Sequence, residues 1–385
     1  MKKVFIISLL ICSICFNPLK AAELQVNLVS FGAVTDGTVD SSPAFTNALQ
    51  ALNVNGGTLI VPAGRYILNS VVTMQLSDAV NIKIKGAGVG ATSIEVRNSV
   101  GGFQFSCPVS VGRLDMSDLS LRITRANNGI GIQYNAAISQ NSKQNINFKN
   151  IEIRLIEEVA VNSNLFFNKS IYIDGAYKPM FDNVVISAAF GQVDALLWET
   201  GKLGAVAFEL SNVYAPSFID CYAWSQYRGY YIHDYKNYGS DRIWFDRSFA
   251  VGDYIGIDIS NVSSSPIMVE EGHYNCNTIG IKLENVNNAT VQTSAMYNVH
   301  ITDYPNYNDI LLLNCQNINV VDNIFNFNAH ASRVGIAVQN ASSNINVNRN
   351  KFTFTGTSVV SAAGCTNVNT DTNNYDATAL PPVKN

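Results

Sequence analysis

The chain has 385 residues, 47% of them apolar and only 14% charged, with a formal charge of −4. That is apolar surface enough for a large core, and no basic stripe exists to neutralise a phosphate backbone, which argues against a nucleic-acid partner. Abundant Asn and Tyr at low charge instead fit a long, stacked β-surface outside the cytoplasm.

In chain order, residues 1–22 read as a secretory signal. Lys2-Lys3 form the positive end, Val4 to Phe16 an apolar run, and Ala21-Ala22 a small-residue cleavage site. The run is too short to span a bilayer. Cys12 and Cys15 follow Ile rather than a small residue, against a lipid-anchored Cys. The mature chain is expected to be secreted or periplasmic, from a bacterium. Losing Lys2, Lys3 and Lys20 takes the formal charge from −4 to about −7.

Residues 23–80 predict an N-terminal cap and first coils. A strand is followed by a turn at Asp36-Gly37. A short helix then starts near Ser42 with Pro43 at its first position. Gly57-Thr58-Leu59-Ile60 predicts a strand, and a Pro62-Ala63-Gly64 turn leads to another. The helix would close one open end of a stack. Asp36 and Asp40 read as turn and cap residues. From Ile82 to Tyr134 the pattern is strand-rich but irregular.

From Ala207 the chain repeats itself. One phrase runs small, apolar, any, apolar, any, amide: Gly256-Ile257-Asp258-Ile259-Ser260-Asn261 and Gly280-Ile281-Lys282-Leu283-Glu284-Asn285 are clear copies. Its last positions fall at 212, 234, 261, 285, 314 and 340. A second phrase follows in phase, as Phe218/Cys221, Phe245/Ser248, Val269/Gly272, Val291/Ser294, Val320/Asn323 and Val347/Asn350. Two period-2 segments per repeat predict two short strands, each with one buried face. Such a unit buries its apolar side only by stacking on its neighbours. A leucine-rich repeat would need a Leu block and a helical half, which are missing. The fold class predicted is therefore all-β: a single-stranded right-handed parallel β-helix, or solenoid, over 81–356, with a short N-terminal capping helix. Residues 357–385 read as a loose tail. Cys107, Cys221, Cys276, Cys315 and Cys365 are scattered without metal-ligand spacing and read as buried thiols, with one disulfide left open.

The stretch Phe31-Gly32-Ala33-Val34-Thr35-Asp36-Gly37 to Ser42-Pro43-Ala44-Phe45, with Gly57-Thr58-Leu59-Ile60-Val61-Pro62-Ala63-Gly64-Arg65-Tyr66, resembles the N-terminal signature of pectate-lyase-like right-handed β-helix proteins. That group takes in rhamnogalacturonase- and polygalacturonase-like enzymes, polysaccharide epimerases and phage tailspikes. The resemblance implies a polysaccharide partner. The catalytic patterns of polygalacturonases and calcium pectate lyases are missing, so neither set of catalytic residues carries over.

Candidate chemistry comes from the outward positions of the second phrase. Successive coils bring Trp244 beneath Met268, Asp246 beneath Glu270, and Asp220, Arg247 and Glu271 along the adjacent turn. Neighbouring coils lie roughly 5 Å apart, so Asp246 and Glu270 would repel and hold one proton near neutrality. That spacing suits a retaining glycosidase pair, and Asp220 with Glu271, two coils apart, an inverting one. Arg247 would tune them, and the same acids could hold Ca²⁺, though no cofactor is required. Trp224, Tyr227, Arg228, Tyr231, His233, Trp244 and His273 supply ring faces and polar groups for sugar binding. Longer segments at Asp234–Arg242 (with Tyr235, Tyr238 and Asp241) and Val299–Asn308 (with His300, Asp303, Tyr304 and Tyr307) would wall a groove. The expected protein is a secreted polysaccharide-active enzyme, a hydrolase first and a uronate lyase second, in which His273 or a Tyr becomes the base. The alternative is a non-catalytic glycan-binding or surface-structural β-helix.

Overall fold

A computed structural model describes residues 23–77, 80–108, 111–125, 129–136, 143–156, 165–188, 204–234, 242–262, 266–297, 307–326, 333–353, 356–375 and 382–384. The expected signal sequence lies outside them. So do the hearts of both proposed groove walls, 235–241 and 298–306, with Tyr235, Tyr238, Asp241, His300, Asp303 and Tyr304.

The chain winds as a right-handed parallel β-helix in which every strand pairs in parallel with the strand one coil away. Each coil presents three faces, not the two expected. Face 1 takes the first phrase, as in Arg228–His233, Ile255–Val262 and Asn308–Leu313. Face 2 takes the second phrase, as in Ile243–Asp246 and Ile267–Glu270. Face 3 is the strand that sequence periodicity missed, as in Tyr222–Trp224, Phe249–Val251 and His273–Asn275. Three residues hold barely one alternation, too little for a period-2 pattern to stand out.

Left-handed backbone turns the corners. The sixth position of the first phrase has positive φ in every copy: Asn212 (52°), Asp234 (51°), Asn261 (62°), Asn285 (53°), Asn314 (50°) and Asn340 (55°). Asn tolerates this conformation because its amide bonds locally. Here the amides also bond up the stack, Asn285 Nδ2 to Asn261 Oδ1 at 3.0 Å and Asn314 Nδ2 to Asn285 Oδ1 at 2.8 Å. The phrase opens on glycine for a different reason. A Cβ on Gly256 would meet Gly280 O at 2.5 Å and Cys276 Sγ at 2.7 Å, so no side chain fits.

Inside, equivalent residues stack in columns. Phe181, Phe218 and Phe245 lie ring on ring at 4.7 Å per step, and Phe208 over Tyr230 at 4.9 Å forms the facing column. The columns meet edge to face, Phe208 on Phe218 at 5.5 Å and Tyr230 on Phe245 at 5.3 Å. Each such pair adds about 0.5–1.5 kcal/mol beyond its buried area. Tyr230 is fully buried core.

The helix Ser42–Leu52 carries Pro43 in its first turn, as expected, and buries Phe45 against Phe103 at 5.4 Å and Tyr66 at 6.2 Å. Asp40 Oδ1 accepts from Ser42 N (3.0 Å), Ser42 Oγ (2.7 Å) and Asn69 N (3.1 Å), tying the helix start to the first coil. Asp36 Oδ1 accepts from Thr38 N at 2.9 Å within the strand Asp36–Asp40.

At the other end the structure departs from expectation. The Thr/Asn-rich stretch after 356 carries strands Thr357–Ser361, Thr366–Asn369 and Val383–Lys384, stacked in register on the coil before. Polar composition there reflects Asn ladders, such as Asn367 Nδ2 to Asn344 Oδ1 at 2.9 Å, rather than looseness. All five cysteines of 23–385 are free. The thiols of Cys221, Cys276, Cys315 and Cys365 point to backbone carbonyls, as with Cys315 Sγ to Leu283 O at 3.3 Å.

Candidate functional site

The vertical register expected on face 2 is observed. Ser217, Trp244, Met268, Thr290, Asn319 and Asn346 are successive ladder partners, and Asp246 pairs with Glu270. Both carboxylates are already supplied with donors. Arg247 Nη1 lies 2.8 Å from Asp246, while Trp244 Nε1 donates to Glu270 Oε1 at 2.6 Å and Gln292 Nε2 to Glu270 Oε2 at 2.9 Å. These donors offset the expected repulsion. Asp220, Arg247 and Glu271 form the corner between faces 2 and 3, with φ of 51°, 46° and 54°. Arg247 Nε bonds Asp220 Oδ1 at 2.8 Å, and Arg349 repeats the same bond to Asp322 at 2.9 Å on that corner, far from any acidic cluster. The pairing therefore belongs to the corner ladder.

The remaining candidates do not join this group: the unrecognised third strand carries Trp224 and His273, and Arg228, Tyr231 and His233 lie on face 1. Trp224 and His273 lie on face 3, with Tyr222 5.7 Å from Trp224 and Tyr297 4.3 Å from His273. Burial pushes the His273 pKa down. Tyr227, at the corner between faces 3 and 1, stacks on Tyr254 at 5.2 Å. Tyr307 is buried against Arg333, 4.6 Å from the guanidinium, and builds no groove wall.

Arg228, Tyr231 and His233 share one strand of face 1, and there the structure adds partners that the sequence reading did not name. Ladder pairing sets Tyr172, Glu209, Tyr231, Asp258 and Lys282 in one outward column. Reading the outward positions of the first phrase, as was done for the second, would have found four of them. Glu209 Oε1 accepts from Lys169 Nζ at 2.7 Å and lies 3.3 Å from His233 Nε2, while His233 Nδ1 lies 2.9 Å from Asp234. Arg228 Nε donates to Asp258 Oδ2 at 2.8 Å, and Lys282 Nζ lies 3.5 Å from the same carboxylate. Tyr231 is stacked between the His233 ring at 4.5 Å and the Arg228 guanidinium at 4.3 Å.

This arrangement separates two titrations. The Glu209 bond raises the His233 pKa against the opposing effect of burial, and Asp234 adds to it. Burial pushes Glu209 up, but the bonds and charges of His233 and Lys169 outweigh it and leave its pKa low. Adjacent groups driven apart in this way suit proton transfer, and histidine is the side chain that titrates near neutrality. Among the described residues no group of three or more His, Cys, Asp or Glu side chains is placed to hold a metal ion. None of the helices among them is long and apolar enough to cross a membrane.

Comparison with known proteins agrees with the architecture. Residues 25–192 match the family described as rhamnogalacturonase A/epimerase, pectate lyase-like. Over 67 residues the chain is 39% identical to rhamnogalacturonase A of Aspergillus aculeatus, a stretch taking in 17% of this chain and 15% of that enzyme. Its fold is similar to the mannuronan C-5 epimerase AlgE6 A-module of Azotobacter vinelandii, with TM-score 0.57 at 17% identity over 93% of this chain and 99% of that one. A tailspike double mutant of E. coli bacteriophage HK620 gives TM-score 0.58 at 14% identity, over 93% of this chain and 66% of that one. PfbA, a surface adhesin of Streptococcus pneumoniae, gives 0.55 at 13%, over 94% of each. At these identities the solved structures speak for the fold alone. With residues 25–192 matched to that family's model and its coils stacked in register as far as Lys384, the chain has the right-handed parallel β-helix fold of the solved structures it resembles.

Proposed function

We propose that the chain is an extracellular enzyme that cleaves an acidic polysaccharide laid along face 1, by elimination at a uronate residue. The observation that carries this reading is the His233–Glu209 pair, whose pKa values are driven in opposite directions beside two cations and two tyrosine rings. Arg228 and Lys282 would neutralise the uronate carboxylate and so acidify the neighbouring C5 proton. His233 Nε2, whose 3.3 Å bond to Glu209 is the longer of its two, would exchange that bond for substrate. It would take the C5 proton as the C4–O4 bond breaks and the C4–C5 double bond forms, then return the proton to the departing oxygen. Asp234 on Nδ1 fixes the ring, and Tyr172 and Tyr231 offer sugar-stacking faces. Support outside the geometry comes from the rhamnogalacturonase/epimerase match over residues 25–192.

One observation favours the binding alternative: every cation of the patch is already paired, Lys169 with Glu209, Arg228 with Asp258 and Lys282 with Glu284. The test is incubation of the purified chain with a panel of uronate and neutral polysaccharides, following ultraviolet absorbance and product masses. Elimination gives absorbing unsaturated ends from uronate polymers only. Hydrolysis gives products heavier by water without absorbance. Retention of intact polymer means a binder.

A further inference from the structure

Face 1 runs on from the His233 patch toward the N-terminal helix. Ladder pairing continues its two outward columns through the strands Ile130–Ala136, Gly101–Cys107 and Val72–Gln75. One column reads Thr73, Gln104, Gln133, Tyr172 and Glu209. The other reads Gln75, Ser106, Asn135, Asp174, Ser211 and His233. The first three residues of each column line an open hollow of about 330 Å³. Register fixes its place: Asn135 lies three coils from His233 and Gln75 five, roughly 14 Å and 24 Å at the usual strand spacing.

Two features set the hollow apart from the rest of face 1. No charged side chain is among the described residues that line it, whereas the coils from Lys169 to Lys282 mix cations with carboxylates. Its polar groups are also unpaired. Elsewhere stacked amides bond up the coils, as Asn346 Nδ2 does to Asn319 Oδ1 at 3.2 Å. Gln104 and Gln133 sit on adjacent coils without such a bond, and none of the six side chains has a hydrogen-bond partner among the described residues. Asn135 Oδ1 is shielded from solvent and still meets no donor. An acceptor left in that state costs free energy, which an incoming hydroxyl would offset.

Sugar hydroxyls donate and accept, as amide and hydroxyl side chains do. A uronate carboxylate placed here would lose water without meeting a cation. A hexose unit of an extended polysaccharide is about as long as one coil is high, so three coils offer places to consecutive units. We infer that the hollow is a subsite for uncharged sugar units of a polysaccharide lying along face 1. This rests on the reading that face 1 binds polysaccharide, and not on His233 being catalytic.

Affinity electrophoresis of the purified chain, in gels cast with neutral galactan, xylan or galactomannan, tests it without turnover. At least one of these polymers should retard the chain. Gln104→Ala/Gln133→Ala should weaken that retardation about tenfold or more, since two hydrogen-bonding amides are lost. Its melting temperature should be unchanged, because neither amide supports the fold. Asn319→Ala/Asn346→Ala, which removes a stacked amide pair on face 2, should migrate as wild type does. No retardation by any neutral polymer, retardation that survives the Gln104/Gln133 substitution, or an equal loss in the face 2 variant overturns the inference, even where His233→Ala abolishes cleavage of an acidic polymer. Neutral retardation lost only in the Gln104/Gln133 variant upholds it, even where no polymer is cleaved.

Discussion

At the scale of single residues, His233 links stability to chemistry with opposite signs. Its folded pKa lies above the ordinary histidine value of 6.5, so its contribution to stability is complete below that pH and is lost as pH rises through the folded value. Glu209 lies below the ordinary glutamate value of 4.5, so its contribution is complete above that pH and is lost as pH falls through its folded value. Their joint stabilisation is therefore complete between about pH 4.5 and 6.5. The melting-temperature difference between the wild type and His233→Ala should be largest there and shrink on both sides. A difference that stays flat from pH 4 to 9 contradicts the assignment. As a base His233 must be neutral, so kcat/KM should rise with pH through a value above 6.5. A profile that falls over that range would instead make His233 an obligatory acid. On face 2, Asp246→Asn or Glu270→Gln should change turnover less than about threefold, since both acids are held by their own donors.

Single elements explain what was legible and what was not. The Asn corners, the glycine openings and the alternating apolar pairs of faces 1 and 2 are regular because backbone geometry demands the same residue type in each coil. That made the coil and the Asp246–Glu270 register readable. Face 3 escaped because its strands are three residues long and its residues vary. Missing it set Trp224 and His273 in the same expected groove as Asp246. Within face 1 the sequence named Arg228, Tyr231 and His233 but not Glu209, Asp258 or Lys282, because only the outward positions of the second phrase are aligned from coil to coil there. The corner makes a direct prediction. Asn285→Ala places a β-carbon in left-handed backbone and removes two amide bonds, costing about 2 kcal/mol, whereas Asn285→Gly should cost less than half of that. Denaturant titration of both variants checks the order; equal losses would mean that the amide ladder, not backbone conformation, controls the corner. The thiols supply another check. Burial raises the Cys221 pKa to about 12 and the Cys315 pKa to about 11, so neither should react with a thiol reagent at pH 8 until the protein unfolds.

For the whole molecule, a stack of coils distributes its chemistry by face, and residues neighbouring in sequence can look in different directions. The helix Ser42–Leu52 packs at the N-terminal end of that stack, and the His233 patch lies several coils further along face 1. A polymer bound along face 1 would run across coils and meet Glu209, Tyr231, Asp258 and Lys282 in turn, one column residue per coil. The match to a polysaccharide-enzyme family ends at residue 192, before these positions begin, so the patch is argued from its own geometry. The measurement that bears most directly on it is the initial rate of unsaturated-product formation from a uronate polymer by His233→Ala beside the Asp246→Asn/Glu270→Gln double variant. The account predicts a loss of about 100-fold or more for His233→Ala and near wild-type turnover for the double variant. Full activity in His233→Ala, with turnover lost in the double variant, would contradict it and return the chemistry to face 2.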